Sequence, residues 1–286
     1  MMKKLTALLT ALFLLLSATA LADEVIHIGI IQFAEDGSLD YCRIGFIEGL
    51  AEEGFVEGEN VVFDVQNAQA DTAISAQIAD VMAGKYDMIC AIATPAAMAA
   101  FNAAEDAGIP VIYTAVSDPV SAMLASADGK NPGNITGTSD ALNTKGLLDL
   151  MLAQNPDTKT VGLLYSKSED SSKQPIEDAK AYLESKGIRC VEKTGTTTDE
   201  ITSAVDALIA EKVDAVFTPT DNTVKKSELT IYETFAEAGI PHYTGADSFV
   251  TAGAFATCGV NYTELGTYTA DMAVDILLGG DIPEYH

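Results

Sequence analysis

The 286-residue sequence has no tryptophan and only three histidines, and its arginines are confined to Arg43 and Arg189. Neither arginine sits beside a strand end, so bidentate guanidinium recognition of phosphate is not expected. Basic residues are scarce as a class: 16 Lys and Arg stand against 42 Asp and Glu, for a net charge of −26. A surface this acidic repels phosphate backbones, which argues against a nucleic-acid partner; it also favours solubility. The four cysteines (Cys42, Cys90, Cys190 and Cys258) are scattered, with no C-x-x-C pair and no Cys/His spacing suited to zinc. They are expected as free, buried thiols that pack as small hydrophobes. No G-x-S-x-G elbow, P-loop, G-x-G-x-x-G or H-E-x-x-H occurs, and the Asp-rich loops lack EF-hand spacing. No catalytic residue, metal or cofactor is therefore expected. His27 lies inside an apolar run and reads as a core histidine.

Long apolar runs are also missing, except at the start. Lys3 and Lys4 precede an apolar stretch over residues 5–16, and a small-residue segment ends in Ala20-Leu21-Ala22. That is the layout of a secretory signal, and the run is too short for a comfortable membrane span. Residues 1–22 are read as a cleaved signal peptide. Its loss removes two Lys and no acid, taking the charge from −26 to −28. Asp23 stands where a bacterial lipoprotein signal would place Cys, so a soluble exported protein is expected, in the periplasm or at the extracellular face.

What the sequence does contain is a repeat. Residues 87–118 (DMICAIATPAAMAAFNAAEDAGIPVIYTAVSD) read as strand, turn, helix, Gly-Ile-Pro corner and strand. Residues 214–247 (DAVFTPTDNTVKKSELTIYETFAEAGIPHYTGAD) repeat the plan, with Ala107-Gly108-Ile109-Pro110 answered by Ala238-Gly239-Ile240-Pro241. Gly past a helix supplies a left-handed cap, and the following Pro stops the helix. The upstream halves correspond too. Apolar runs at Ile26–Gln32 and 160–166 each precede a helix ending at a glycine, Gly54 and Gly187, and strands are expected at 60–67 and 188–193. The first of these helices is expected over 41–53, after a loop at 33–40. A polar loop is expected over 167–173, a strand over 254–261 and a last helix over 264–278. Each half thus reads β-α-β-α-β-α-β, which implies two doubly wound parallel-sheet α/β lobes. Lobe 1 is assigned residues 23–140, lobe 2 residues 141–259, and residues 260–281 a helix returning to lobe 1.

Ligands of such sheets sit beyond the carboxyl ends of the strands. Small polar residues gather there in both halves: Gln32, Thr94, Ser117, Asp118, Ser139 and Asp140 in the first, and Tyr165, Ser166, Asp221, Asn222 and Asp247 in the second. Any one of them could simply shape a turn. Their concentration at facing strand ends points to an interlobe cleft. Hydroxyls and helix starts suit a carboxylate, and a carboxylate such as Asp221 or Asp118 suits an ammonium. Asp221→Ala is expected to weaken binding at least about tenfold without disturbing the fold.

The segments IGIIQFAED, IATPAA, AGIPVIYTAVSDPV, GNITGTSD, PTDNTV and GADSFVTAGAFATCGVNYTELG, taken in order, resemble the ABC-transporter substrate-binding proteins of the tryptophan/tyrosine type. The resemblance spans essentially the whole chain after residue 22. It implies a type I periplasmic-binding-protein fold with a hinge, three interlobe crossovers and clamshell closure. Two crossovers are placed at 140–144 and 258–262 and the third at the C-terminal end. The resemblance implies cleft positions at Gln32, Phe33, Thr94, Ser117, Asp118, Ser139, Asp140, Ser166, Asp221, Asn222 and Asp247. From the residues themselves, Phe33, Leu39 and Tyr165 are expected to supply an apolar half of the cleft. The resemblance further implies a non-enzymatic, monomeric receptor that delivers an amino acid, aromatic or large and apolar, to an ABC permease. Residues 282–286 would begin a truncated C-terminal segment. Two other readings stay open: a ligand-sensing module for a membrane receptor, and an exported α/β enzyme.

Overall fold

The structure, a computed structural model, describes residues 25–128 and 130–282. The expected signal peptide, the third crossover and residues 283–286 lie outside the described residues. Among the described residues, ten strands form two parallel sheets of five. The first runs β2(Val61–Asn67), β1(Ile26–Gln32), β3(Met88–Ile92), β4(Val111–Val116), β5(Ile135–Ser139). The second runs β7(Arg189–Thr194), β6(Thr160–Tyr165), β8(Ala215–Thr218), β9(His242–Thr244), β10(Ala256–Thr257). The two orders are the same, so the repeat read from the sequence is a repeat of topology. Strands β3, β4 and β8 are buried along their whole length, as expected for parallel strands covered on both faces. In each sheet the strand order reverses between the first strand and the third, and the crevice of such a sheet opens at that switch point.

The helices are α1(Gly37–Glu52), α2(Thr72–Met82), α3(Thr94–Ala104), α4(Thr144–Gln154), α5(Asp170–Ser185), α6(Thr198–Ala210), α7(Asn222–Ala238), α8(Asp247–Thr251) and α9(Tyr262–Leu277). Gly108 and Gly239, in the two matching corners, both adopt φ of +67°. The chain passes from β5 to α4 through 140–143 and from β10 to α9 through 258–261. Helix α9 lies against α1, β4 and β5 of the first lobe. The approach is so close that a Cβ on Gly45 would stand 2.0 Å from the Thr263 carbonyl oxygen, and one on Gly266 2.2 Å from that of Cys42. Glycine is required at both positions because backbone, not a movable side chain, fills the space.

Several sequence expectations are corrected. Helix α1 begins at Gly37, not at 41, because Asp36 caps it by accepting from the Ser38 and Leu39 N–H groups. The polar stretch 167–173 is only partly a loop, since α5 starts at Asp170 and carries Ser171 and Ser172. The expected strand over 254–261 shrinks to Ala256–Thr257, an edge pairing with β9 alone. His27 is exposed near the start of β1 and is not a core residue. All four cysteines are free; Cys42 and Cys90 are buried, Cys190 is half-buried and Cys258 is exposed. Among the described residues no helix is long and apolar enough to cross a membrane, and no group of three His, Cys, Asp or Glu side chains could hold a metal ion.

Candidate functional site

The carboxyl ends of the two sheets face each other, and a cavity lies between them. The first lobe contributes Asp36, Ser38 and Leu39 from the start of α1, Ala93 and Thr94 after β3, Ala115 and Ser117 at the end of β4, and Asp140 after β5; Tyr262 comes from α9. The second lobe contributes Ser171 from α5, Thr220, Asp221, Asn222 and Lys225 after β8, and Ala246, Ser248 and Phe249 after β9. Space outside the protein's atoms amounts to about 380 Å³, but the part a water molecule can occupy is about 30 Å³. A ligand of amino-acid size therefore enters only if the walls part.

On the first lobe the wall carries backbone strain. Ala93 has φ 83° and ψ 154°, and Ala115 has φ 56° at a break in the β4–β5 register. Such conformations cost a side-chain-bearing residue about 1–3 kcal/mol and persist where the surroundings enforce them. Ala93 leads directly into α3, whose first turn holds Thr94 and Pro95. Thr94 is 2% exposed, and its hydroxyl has no hydrogen-bond partner among the described residues. A buried hydroxyl without a partner is costly, and this one lies at the positive end of a helix dipole.

Two side-chain hydrogen bonds and one ion pair cross the cleft. Ser38 Oγ donates to Asp247 Oδ1 at 2.8 Å, Ser117 Oγ and Thr220 Oγ1 are 2.8 Å apart, and Lys225 Nζ stands 3.0 Å from Asp36 Oδ2. Ser117 already donates its one proton to Asp140 Oδ1 at 2.9 Å, so Thr220 is the donor in the bond between them. Asp140 also accepts from the Tyr262 hydroxyl at 3.0 Å. Burial pushes both groups up, the Asp140 carboxyl and the Tyr262 phenol.

The second lobe's wall is closed on itself. Asp221 Oδ1 accepts from the Val224 N–H at 2.9 Å, capping α7. Its Oδ2 accepts from the Ser166 N–H and the Ser172 hydroxyl, both at 2.7 Å. Behind it Glu169, 5% exposed, accepts from Asn222 Nδ2 at 3.1 Å and Thr223 Oγ1 at 3.2 Å. Burial and then the neighbouring Asp221 charge push the Glu169 carboxyl up to about 7, and burial raises Asp221 as well.

Of the residues expected from the sequence, Thr94, Ser117, Asp140, Asp221 and Asn222 line the cavity, as does Leu39. Asp221 does so with both oxygens already engaged by three donors, so its loss is now expected to cost stability as well as binding. Gln32 is consumed locally, donating to the Ala34 carbonyl and Asp40 and accepting from Arg43. Asp118 caps its own turn through the Val120 and Ser121 N–H groups. Ser139 donates to the Ser117 carbonyl, Ser166 shares a bond with Ser168, and Tyr165 donates to Glu192. Phe33 is packed in the core. Asp247 sits at the rim, held by Ser38. Sequence reasoning passed over Asp36, Lys225, Phe249 and Tyr262. Asp36 was legible as a possible N-cap just ahead of an apolar-periodic segment; Lys225, one turn inside a helix, gave no such signal.

The family model for ABC transporter substrate binding proteins matches residues 27–285. The tyrosine-binding protein of Clostridioides difficile is 38% identical over 261 residues, which is 90% of this chain and 75% of that protein. Among solved structures, the ABC domain in complex with L-Trp from Streptococcus pneumoniae is 34% identical, covers 91% of this chain and 87% of its own, and superposes with a TM-score of 0.86. A ligand-free, open substrate-binding protein with adhesive properties from Clostridium difficile is more similar in sequence, at 39%, over 90% and 87% of the two chains. Yet its TM-score is only 0.67. Three side-chain contacts join the two lobes here, Ser38 to Asp247, Ser117 to Thr220 and Lys225 to Asp36. The fold is that of a type I periplasmic binding protein, and the chain belongs to the ABC transporter substrate-binding protein family.

Proposed function

We propose that this protein is an exported receptor, acting as a monomer, that closes on an α-amino acid with an aromatic or large apolar side chain and presents it to the permease of an ABC importer. The observation that carries this reading is the Thr94 hydroxyl, buried, unpartnered and set at the start of α3 inside the interlobe cavity. It is a vacant donor placed for a ligand carboxylate. Leu39, Phe249 and the alanines at 93, 115 and 246 supply apolar wall for a side chain. The tyrosine-binding relative and the L-Trp complex support the ligand class. The two hinge segments are placed at 140–144 and 258–262, and residues 1–22 are assigned to export. No step of this function alters the ligand, so its recovery unchanged after incubation, read by mass spectrometry, is the expected outcome.

Calorimetric titration of the purified protein with tyrosine, tryptophan, phenylalanine, leucine and a neutral sugar tests the reading. Tight binding of at least one of the amino acids is expected. Ligand at a hundred times its Kd should stabilise the native state by about 2.7 kcal/mol, and small-angle scattering should show compaction from an open form. Binding of the sugar with no response to any amino acid would overturn the ligand class.

A further inference from the structure

Two opposite charges meet across the cavity, one from each lobe. Asp36 Oδ1 is taken up by the cap of α1, from Ser38 N at 2.9 Å and Leu39 N at 3.4 Å. Its Oδ2 lies 3.0 Å from Lys225 Nζ, close in distance but not aligned as a hydrogen bond. The two side chains are 8% and 20% exposed, and both line the cavity.

Their surroundings single them out. The other carboxylates of the lining, Asp140 and Asp221, have both oxygens occupied by donors from the protein. Asp36 keeps one oxygen without a directed donor. Lys225 is the only Lys or Arg among the lining residues. It stands on the first turn of α7, where the helix dipole disfavours a cation and favours an anion. A lysine there is electrostatically misplaced unless an anion comes to it. Asp36, in turn, stands at the start of α1 with an acceptor pointing into the cavity.

We infer that Asp36 and Lys225 are the specificity-determining pair for a zwitterionic ligand: the ligand's ammonium takes the place of Lys225 at Asp36 Oδ2, and Lys225 turns to the ligand's carboxylate beside Thr94. This rests on the reading of the site as an amino-acid receptor and says which residues sort its ligands. One cross-cleft ion pair is replaced by two, so neither protein charge is left bare when the walls reclose. A ligand lacking its carboxylate would displace Lys225 and leave it unpaired. A ligand lacking its ammonium would draw Lys225 away and leave Asp36 unpaired. Both should be rejected by about 30-fold or more.

The test titrates wild type, Asp36→Asn and Lys225→Gln with three probes: L-tyrosine, tyramine and 3-(4-hydroxyphenyl)propionate. Asparagine keeps the Oδ1 that caps α1, so Asp36→Asn retains the fold. The wild type should bind L-tyrosine and reject both analogues. Asp36→Asn should bind L-tyrosine about 30-fold more weakly and lose its preference over the propionate. Lys225→Gln should lose its preference over tyramine. If both variants weaken all three probes by the same factor, the pair is only a latch between lobes and the inference fails while the receptor reading stands. Unchanged affinities in both variants overturn it equally. If Asp36→Asn does not fold, the tyramine preference of Lys225→Gln decides alone. A wild type that binds neither tyrosine nor any other amino acid removes the receptor reading, and this assignment with it.

Discussion

On the first lobe's wall, Thr94 offers a hydroxyl with no partner, and Ala93 and Ala115 hold left-handed backbone. On the second lobe's wall, at the matching strand ends, Asp221 is bonded to Ser166 and Ser172, and Asn222 to Glu169. Among the described residues the non-glycine positions with positive φ in the first lobe are Gln69, Ala70, Ala93, Ala115 and Met123. The second lobe has Lys212 alone, in the turn after α6. Two sheets with one topology thus carry walls in different states. The first is strained and unsatisfied, as a surface is when its last partner is a ligand. The second is bonded within itself, and Lys225 stands on the first turn of its helix α7.

The sharpest way to break this comparison is to remove the keystone of the second wall. Asp221→Ala strands the Val224 and Ser166 N–H groups and the Ser172 hydroxyl, and uncaps α7. A loss of roughly 3 kcal/mol or more in unfolding free energy is expected from urea titration of the unliganded protein. Stability within about 0.5 kcal/mol of wild type would mean that the second wall is not held by these bonds.

The first wall should respond in the opposite sense. Thr94→Val removes a buried hydroxyl that bonds to none of the described residues, so the empty protein should keep its stability or gain slightly. Binding should suffer instead, by about tenfold or more, the value of a hydrogen bond to a charged group. Calorimetry and urea titration on the same variant separate the two effects.

How much of this was legible in the sequence follows from the same contrast. The lobes were readable because buried parallel strands are continuous apolar runs and because the Gly-Ile-Pro corners repeat. Thr94, Ser117 and Asp140 were readable because the fold puts whatever follows a parallel strand at the cleft. Which strand-end residues remain free for a ligand was not readable. Gln32 ends a strand and Asp118 follows one, as Thr94 does, yet each is spent on neighbours within eleven residues. Asp221 is spent on donors up to 55 residues away. Tyr262 reaches Asp140 across 122 residues. Such partners are set by packing, and local sequence patterns do not encode them.

A smaller effect distinguishes the walls by pH. An unfolded glutamate titrates near 4.5, whereas folded Glu169 is raised to about 7. The folded state therefore holds this proton longer, and the associated stability is fully present below about 4.5 and lost as pH rises through about 7. Between pH 5 and pH 8 the wild type should lose on the order of 1 kcal/mol more stability than Glu169→Gln. Asp140, raised by burial, remains in both proteins and cancels, whereas Asp221 sits against Glu169 and shares its shift, so the difference in urea midpoints reports the Glu169–Asp221 pair. Parallel profiles would show that the carboxyl behind the second wall does not sense pH.

The smallest effect tests the strain itself. Ala93, at φ 83° and ψ 154°, occupies a region that glycine enters freely and alanine does not. Ala93→Gly relieves that strain but gives the unfolded chain more freedom to lose, a cost of about 0.5–1 kcal/mol. The two terms oppose, and the strain term, about 1–3 kcal/mol, is the larger. A net gain of up to about 1 kcal/mol is therefore expected from urea titration. Ligand affinity should fall slightly, because a freer residue 93 no longer fixes the start of α3 and the aim of Thr94. A net loss comparable to the glycine cost would mean that the first wall is unstrained, and the two lobes would then differ only in which of their hydroxyls lack partners.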